Sequence, residues 1–142
     1  MGAAAPNGRV TATSGPAFLF DNNMPPGLAV AMQALHESVF HLKERFAPNT
    51  ADEVWLPAIS AAGEFFVTWD YRLKTTPAQC ALIRRARAGG FILRLAEQGG
   101  CELTQQLIRQ WPLIKRTART TPRPFLFGVR SHGQRLQSLL TK

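Results

Sequence analysis

Apolar positions in this chain fall into short unbroken runs, separated by stretches in which they recur every three or four residues. "AFLF" (17–20) is a run of the first kind and predicts a short buried strand. Pro25 and Pro26 then open a helix, with Leu28, Ala31, Met32 and Leu35 on one face. "SVFHL" (38–42) alternates apolar and polar residues and predicts a second strand. "APNTADE" (47–53) is a loop and helix start, after which Trp55, Ala58, Ile59 and Ala62 repeat the helical stripe as far as Gly63. Pro57 inside that stripe implies a kink or a later start. "EFFVT" (64–68) predicts a third strand, running into "WD".

The second half continues the alternation. "TTPAQCALIRRARAGG" (75–90) has a threonine before Pro77 at its first turn and is closed by Gly89-Gly90, the punctuation of a helix. "FILRL" (91–95) predicts a fourth strand. Residues 102–118 predict a long helix, bent at Pro112, with Leu103, Leu107, Trp111 and Ile114 inward. "FLFGV" (125–129) predicts a fifth strand. Residues 135–139 fit either a short sixth strand or a helix. Strands alternating with helices define an α/β domain, with a mostly parallel sheet covered on both faces. In such sheets, ligand sites lie in the crevice at the C-terminal strand edge.

At 142 residues the chain holds one well-buried core, and 45% hydrophobic composition excludes a disordered polymer. No apolar run approaches the ~20 residues that span a bilayer. Residues 1–16 are mostly small and polar, lack the apolar core of a secretory signal, and are read as a loose tail before a domain at 17–142. Cys80 and Cys101 form no metal or redox spacing; two such thiols suit a reducing cytoplasm.

Charge changes the picture. Residues 1–70 carry three basic residues against seven acids, and residues 71–142 carry fourteen against two, for a net charge of +8. An acidic half joined to a basic half suggests a polyanion met by the second half. Arg72 and Lys74 directly follow Asp70 and are read as phosphate contacts. Arg84, Arg85 and Arg87 on the next helix, and Arg109, Lys115, Arg116 and Arg119 on and after the long one, are candidate phosphate contacts or a solvated face.

The chain has three aspartates, and each stands at a junction. Asp21 follows the first strand, Asp70 follows the third, and Asp52 begins the helix leading into the third. A parallel sheet brings both strand ends to one edge. Three crowded carboxylates repel one another unless a divalent cation neutralises them. Hard oxygen ligands suit Mg²⁺ or Mn²⁺, and such an ion activates water for attack on a phosphodiester. Each aspartate also has a plainer role: Asp21 in capping, Asp52 beside a Thr50–Glu53 capping box, Asp70 in an Asx turn. Glu53 is a reserve candidate, while Glu64 begins its strand at the opposite edge. Asn22 and Asn23 position a phosphate or metal water, or shape the loop. Thr68 orients Asp70 or simply suits a strand. His36, His41 and His132 make no metal spacing, and no Gly-rich phosphate loop or G-x-S-x-G elbow is present.

"FLFDNNMPPGLAVAMQAL", "DEVWLPAIS" and "FFVTWDYRLKTTPAQ" together resemble the PIN-like domains related to VapC toxins. The likeness covers residues 18–95, with Asp21, Asn23 and Pro25, then Asp52 before Trp55, then Thr68 with Asp70, as its most specific parts. It implies a three-layer α/β/α sandwich and Mg²⁺- or Mn²⁺-dependent cleavage of RNA, with Asp21, Asp52 and Asp70 as catalytic and metal-site acids; on that reading Asn23, Thr68, Arg72, Lys74, Arg84 and Arg85 contact the RNA. It also implies a cognate antitoxin and, by analogy, a homodimer. Many PIN nucleases carry a fourth acid after the T-x-D aspartate, where this chain reads "YRLK"; a non-catalytic RNA- or protein-binding module is therefore the main rival. A phosphotransfer receiver is a weaker one, because receivers open with paired acids and Asp21 is followed by asparagines.

Overall fold

A computed structural model describes residues 15–94 and 100–140. In chain order the elements are β1 (Phe18–Phe20), α1 (Pro26–Ala34), β2 (Val39–His41), a 3₁₀ turn (Leu42–Glu44) and α2 (Asp52–Ala61). There follow β3 (Phe65–Thr68), α3 (Tyr71–Lys74), α4 (Pro77–Ala86), β4 (Gly89–Leu93), α5 (Gly100–Thr120), β5 (Phe125–Val129) and β6 (Leu136–Ser138). The six strands form one sheet in the order β2-β1-β3-β4-β5-β6. All neighbours are parallel except β5 and β6. Of the two readings open for residues 135–139, the strand is the one observed. The tail expected at residues 1–16 falls, for residues 1–14, outside the described residues, as does Leu95 of the expected fourth strand.

Strands buried on both faces must be apolar throughout, and β1, β3 and β4 are buried at every position. One face carries Phe18, Phe20, Phe65, Phe91 and Phe125 against α1 and α5. The other carries Leu19, Phe66, Ile92 and Leu126 against α2 and α4. The result is the expected α/β/α sandwich. Trp111 of α5 sits 4.7 Å from the Phe18 ring, and Trp55 of α2 meets Phe66 edge-on, so one indole anchors each helical layer.

Several local expectations give way to packing. In α1, Leu28 and Met32 are buried as expected, but Leu35 is the C-cap and lies exposed, and Ala29 takes an inward place beside Met24. In α2, Trp55, Leu56 and Ile59 form the buried stripe, and the helix runs through Pro57, which stays on its exposed side. Pro112 likewise lies on the exposed side of α5, whose Leu103, Leu107, Trp111 and Ile114 are buried as expected. A proline there costs one backbone hydrogen bond, and the carbonyl it frees faces water. The Thr50–Glu53 capping box is not formed: Ala51 is the N-cap, and the Thr50 hydroxyl donates to the Ala47 carbonyl.

Gly89 and Gly90 do not close α4. That helix ends at Ala86, with Arg87 in the left-handed conformation at φ 52°. The glycines belong to β4 and are required by aromatic packing. A Cβ on Gly90 would lie 2.0 Å from the Phe66 ring, and one on Gly89 would lie 2.7 Å from Phe65 and Phe125.

Candidate active site

The chain leaves β1 toward β2 on one side and returns through α2 to β3 on the other. β1 and β3 therefore flank the topological switch point, where a crevice opens at the C-terminal edge of the sheet. Asp21 ends β1 in that crevice and is 6% exposed. Its backbone N–H donates to the Val67 carbonyl of β3 at 2.9 Å, and its Oδ1 accepts from the Asn22 N–H at 2.6 Å. The Met24 N–H closes the turn on the Asp21 carbonyl. Buried His41 at the end of β2 pins the same turn: its Nε2 lies 2.8 Å from the Met24 carbonyl while Nδ1 accepts from the Lys43 N–H. That pair of contacts assigns Nε2 as the protonated nitrogen. His41 is thus a structural histidine that holds the loop carrying Asp21.

Asp52 reaches the crevice from the first turn of α2, where negative charge suits the helix dipole. Its Oδ1 accepts from Trp55 Nε1 at 2.9 Å, and its Oδ2 accepts from Lys74 Nζ at 2.7 Å and Gln79 Nε2 at 3.0 Å. Asp70 follows β3 and is half-buried. Its N–H donates to Thr68 Oγ1 at 3.1 Å, and the Thr68 hydroxyl in turn donates to Asn23 Oδ1 at 3.0 Å. Thr68 thereby ties the loop after β1 to the loop after β3. Asp21, Asn23, Asp52 and Asp70 line one open pocket of about 380 Å³, together with Lys74, Thr76 and Gln79.

Lys74 departs from the phosphate-contact reading. It lies in α3, a short helix absent from the sequence expectation, and its side chain is 8% exposed. Its ammonium lies 2.7 Å from Asp52 Oδ2 and 3.3 Å from Asp21 Oδ2, and 5.4 Å from the centre of the Trp55 ring. Burial works against its charge, but the Asp21 charge and the Asp52 hydrogen bond outweigh it and hold the ammonium above the ordinary lysine range. Lys74 therefore stays protonated and offsets one of the two carboxylate charges from within.

The other expected basic residues divide. Arg72 lies exposed on α3, two residues past Asp70. Arg84 and Arg85 lie in the last turn of α4, about 12 Å along the helix axis from Thr76. They face the N-terminal edge of the sheet, where neighbouring Arg87 donates to the Arg123 carbonyl ahead of β5. The structure does not bring them to the pocket. Glu64 is also remote, paired with Arg45 at 3.0 Å, and Glu53 is exposed. Gln79 is the pocket residue that sequence reading passed over. Its signal is Thr76-Pro-Ala-Gln79, the spacing of a capping box. Thr76 does cap α4 by accepting from the Gln79 N–H at 3.2 Å, while the Gln79 amide goes to Asp52.

A mostly parallel α/β sheet with carboxylates gathered at its switch point is a doubly wound fold with an acidic ligand crevice. A model of the PIN-like domain family matches residues 16–95, more than half of the chain, and the chain belongs to that family. No curated protein and no solved structure matches it. PIN-like domains are generally nucleases and commonly bind divalent metals. No helix among the described residues is long and apolar enough to cross a membrane.

The donor set can be weighed against such an ion. Mg²⁺ is usually held by one or two carboxylates, water and substrate oxygens. Asp21 Oδ2 and Asp52 Oδ2 converge as such a pair, with Asn23 and Asp70 nearby, so the chemistry of the donors fits a hard divalent cation. The convergence point already receives the Lys74 ammonium, and a metal must displace it. Among the described residues no group of three or more His, Cys, Asp or Glu is arranged to hold an ion jointly; Asp70 shares the pocket without joining the other two.

Proposed function

We propose that this chain is a metal-dependent endoribonuclease, acting on RNA as the toxin of a bacterial toxin–antitoxin module. The observation that carries the nuclease reading is that every aspartate of the chain lines one pocket at the switch point of a PIN-like sheet. Asp21 and Asp52 are the residues that would hold Mg²⁺ or Mn²⁺, with Asp70 facing the same space. When bound, the ion supplies an activated water and neutralises charge on the phosphodiester. Thr68 and Asn23 fix the position of Asp70, and exposed Arg72, two residues past Asp70, would offer charge to the phosphate. Purified protein should cleave labelled single-stranded RNA in Mn²⁺, and Asp70→Asn should abolish cleavage with the fold intact. Full activity in that variant refutes the assignment.

The toxin reading, with its cognate antitoxin, cytoplasmic location and homodimer, rests on the likeness of the 18–95 motifs to VapC-related domains. Growth arrest on expression, relieved by Asp21→Ala, tests it. Harmless expression of an active nuclease would leave the enzyme and remove the toxin.

One observation favours a second reading, a non-catalytic RNA- or protein-binding module. Lys74 already places a positive charge between the two acids, where a metal ion would otherwise sit. Titration with Mn²⁺ separates the two, because absence of binding at millimolar metal selects the module.

A further inference from the structure

The residues on either side of Asp70 are aromatic and open to solvent. Trp69 is 37% exposed and Tyr71 is 38% exposed, whereas Trp55 and Trp111 are 1% and 5% exposed. Two large rings at water beside the site acid contribute little to the core. The Arg94 guanidinium lies 3.7 Å over the centre of the Tyr71 ring, a stacked cation–π arrangement. Gly128 makes room for it: a Cβ there would stand 3.2 Å from Arg94 Cγ.

Basic residues continue from this point along the same edge. Arg94 follows β4 and Arg130 follows β5, the next two strands after the one that ends at Asp70. The two arginines line one open hollow with Ser131, His132 and Gln137. The loop that carries Arg130 is fastened from α5: buried Gln110 donates to the carbonyls of Arg130 and Gly133, and Arg109 donates to that of Ser131. An acidic pocket, two exposed rings, an arginine stacked on Tyr71 and a second arginine on a fastened loop thus succeed one another along neighbouring strand ends.

We propose that Trp69 and Tyr71 form a stacking platform for unpaired nucleobases, and that Arg94 and Arg130 hold phosphates of the same RNA strand as it passes the acidic pocket. Flat rings beside arginines are how proteins engage single strands, since every base offers a face and every nucleotide a phosphate. Bases in a duplex are stacked within the helix and cannot reach such a surface. The site thereby selects single-stranded over double-stranded RNA. The proposal rests on the nucleic-acid reading of the pocket but does not require cleavage.

The test uses the full chain in EDTA, so that binding is read without turnover. Trp69 is the tryptophan that solvent reaches, so its emission reports contact in the parent chain, while the anisotropy of a fluorescein at one end of each titrant reports affinity in the parent and in every variant. The titrants are a single-stranded oligouridine, an abasic ribose-phosphate strand of equal length, and an RNA duplex. The oligouridine should quench the emission and bind about tenfold more tightly than the abasic strand or the duplex. Trp69→Ala should abolish that tenfold preference, Trp69→Phe should retain most of it, and Arg94→Gln should weaken all three titrants together. Equal binding of base-bearing and abasic strands, or a preference that survives Trp69→Ala, overturns the platform. Either result leaves the nuclease reading to its own cleavage assay. Conversely, quenching by a protein that never cleaves RNA keeps the platform and removes the nuclease.

Discussion

The Lys74 ammonium donates to Asp52 Oδ2 at 2.7 Å, across twenty-two residues of chain. Asp21 stands at 3.3 Å on its other side, so one lysine holds together the two carboxylates best placed to share a metal ion. A cation of the same chain between the two acids offsets one of their charges and ties them together in the absence of metal. It also sets a competition, because a divalent ion and Lys74 seek the same oxygens.

Removing the ammonium should therefore exchange stability for metal dependence. Lys74→Met leaves the Asp21–Asp52 pair without its cation, and breaking a fully buried pair costs about 3–5 kcal/mol. With the Asp52 side chain 24% exposed, about 2–3 kcal/mol is expected here. Mn²⁺ should restore much of that loss by binding the folded state, and should raise the Tm of the variant more than that of the parent. Thermal melts in EDTA and in millimolar Mn²⁺ make the comparison. Equal Mn²⁺ shifts for both proteins would show that Lys74 does not compete.

Thr68 carries two hydrogen bonds that no apolar residue can make. Thr68→Val keeps the shape but leaves the Asp70 N–H and the Asn23 carbonyl oxygen without this partner, at about 1–2 kcal/mol. The protein should remain folded and cleave RNA roughly tenfold more slowly, as expected when a site residue loses its orientation. Chemical denaturation and single-turnover cleavage measure the two effects. A rate equal to the parent's would remove Thr68 from the positioning of Asp70.

Arg84 and Arg85 stand at the opposite edge of the sheet from the pocket. Arg84→Gln with Arg85→Gln should leave the cleavage rate of a short RNA within about twofold of the parent. A loss of tenfold or more would mean that the strand wraps around α4 to the far edge.

The alternation of strands and helices was legible in the sequence because buried parallel strands are uninterrupted apolar runs, and "AFLF", "EFFVT" and "FLFGV" are hard to read otherwise. All three aspartates were legible for the same reason: each interrupts or follows an element at a fixed place. What the pattern could not show was direction and depth. Lys74 and Arg72 look alike two residues apart, yet α3 turns one into the pocket and leaves the other exposed to solvent. Arg84 and Arg85 follow the site acids in sequence, but an intervening helix carries them away from the pocket. Arg94 appeared only as part of a strand, and its approach to Tyr71 depends on the bare surface of Gly128. Gly89-Gly90 looked like a helix stop because glycine commonly ends helices; its cause here is an aromatic ring over each position.

That last point gives a stability prediction. Gly90→Ala places a methyl group where the Phe66 ring lies, 2.0 Å away, and should cost at least about 2–3 kcal/mol through forced repacking. Gly27→Ala, in the exposed first turn of α1 with open space around it, should stabilise the protein by up to about 1 kcal/mol. Urea denaturation of both variants reads the difference, and a neutral Gly90→Ala would contradict the packing of β4 against Phe66.

The central claim is that the pocket formed by Asp21, Asp52 and Asp70 cleaves RNA with the help of a divalent ion. Its most direct measurement is the cleavage rate of one labelled single-stranded RNA by the wild-type chain and by Asp21→Asn, each in Mn²⁺ and in EDTA, with circular dichroism to confirm the fold. The wild type should cleave in Mn²⁺ and not in EDTA, and Asp21→Asn should be slower by at least roughly a hundredfold. Cleavage that persists in EDTA, or that is equal in the two proteins, would contradict it.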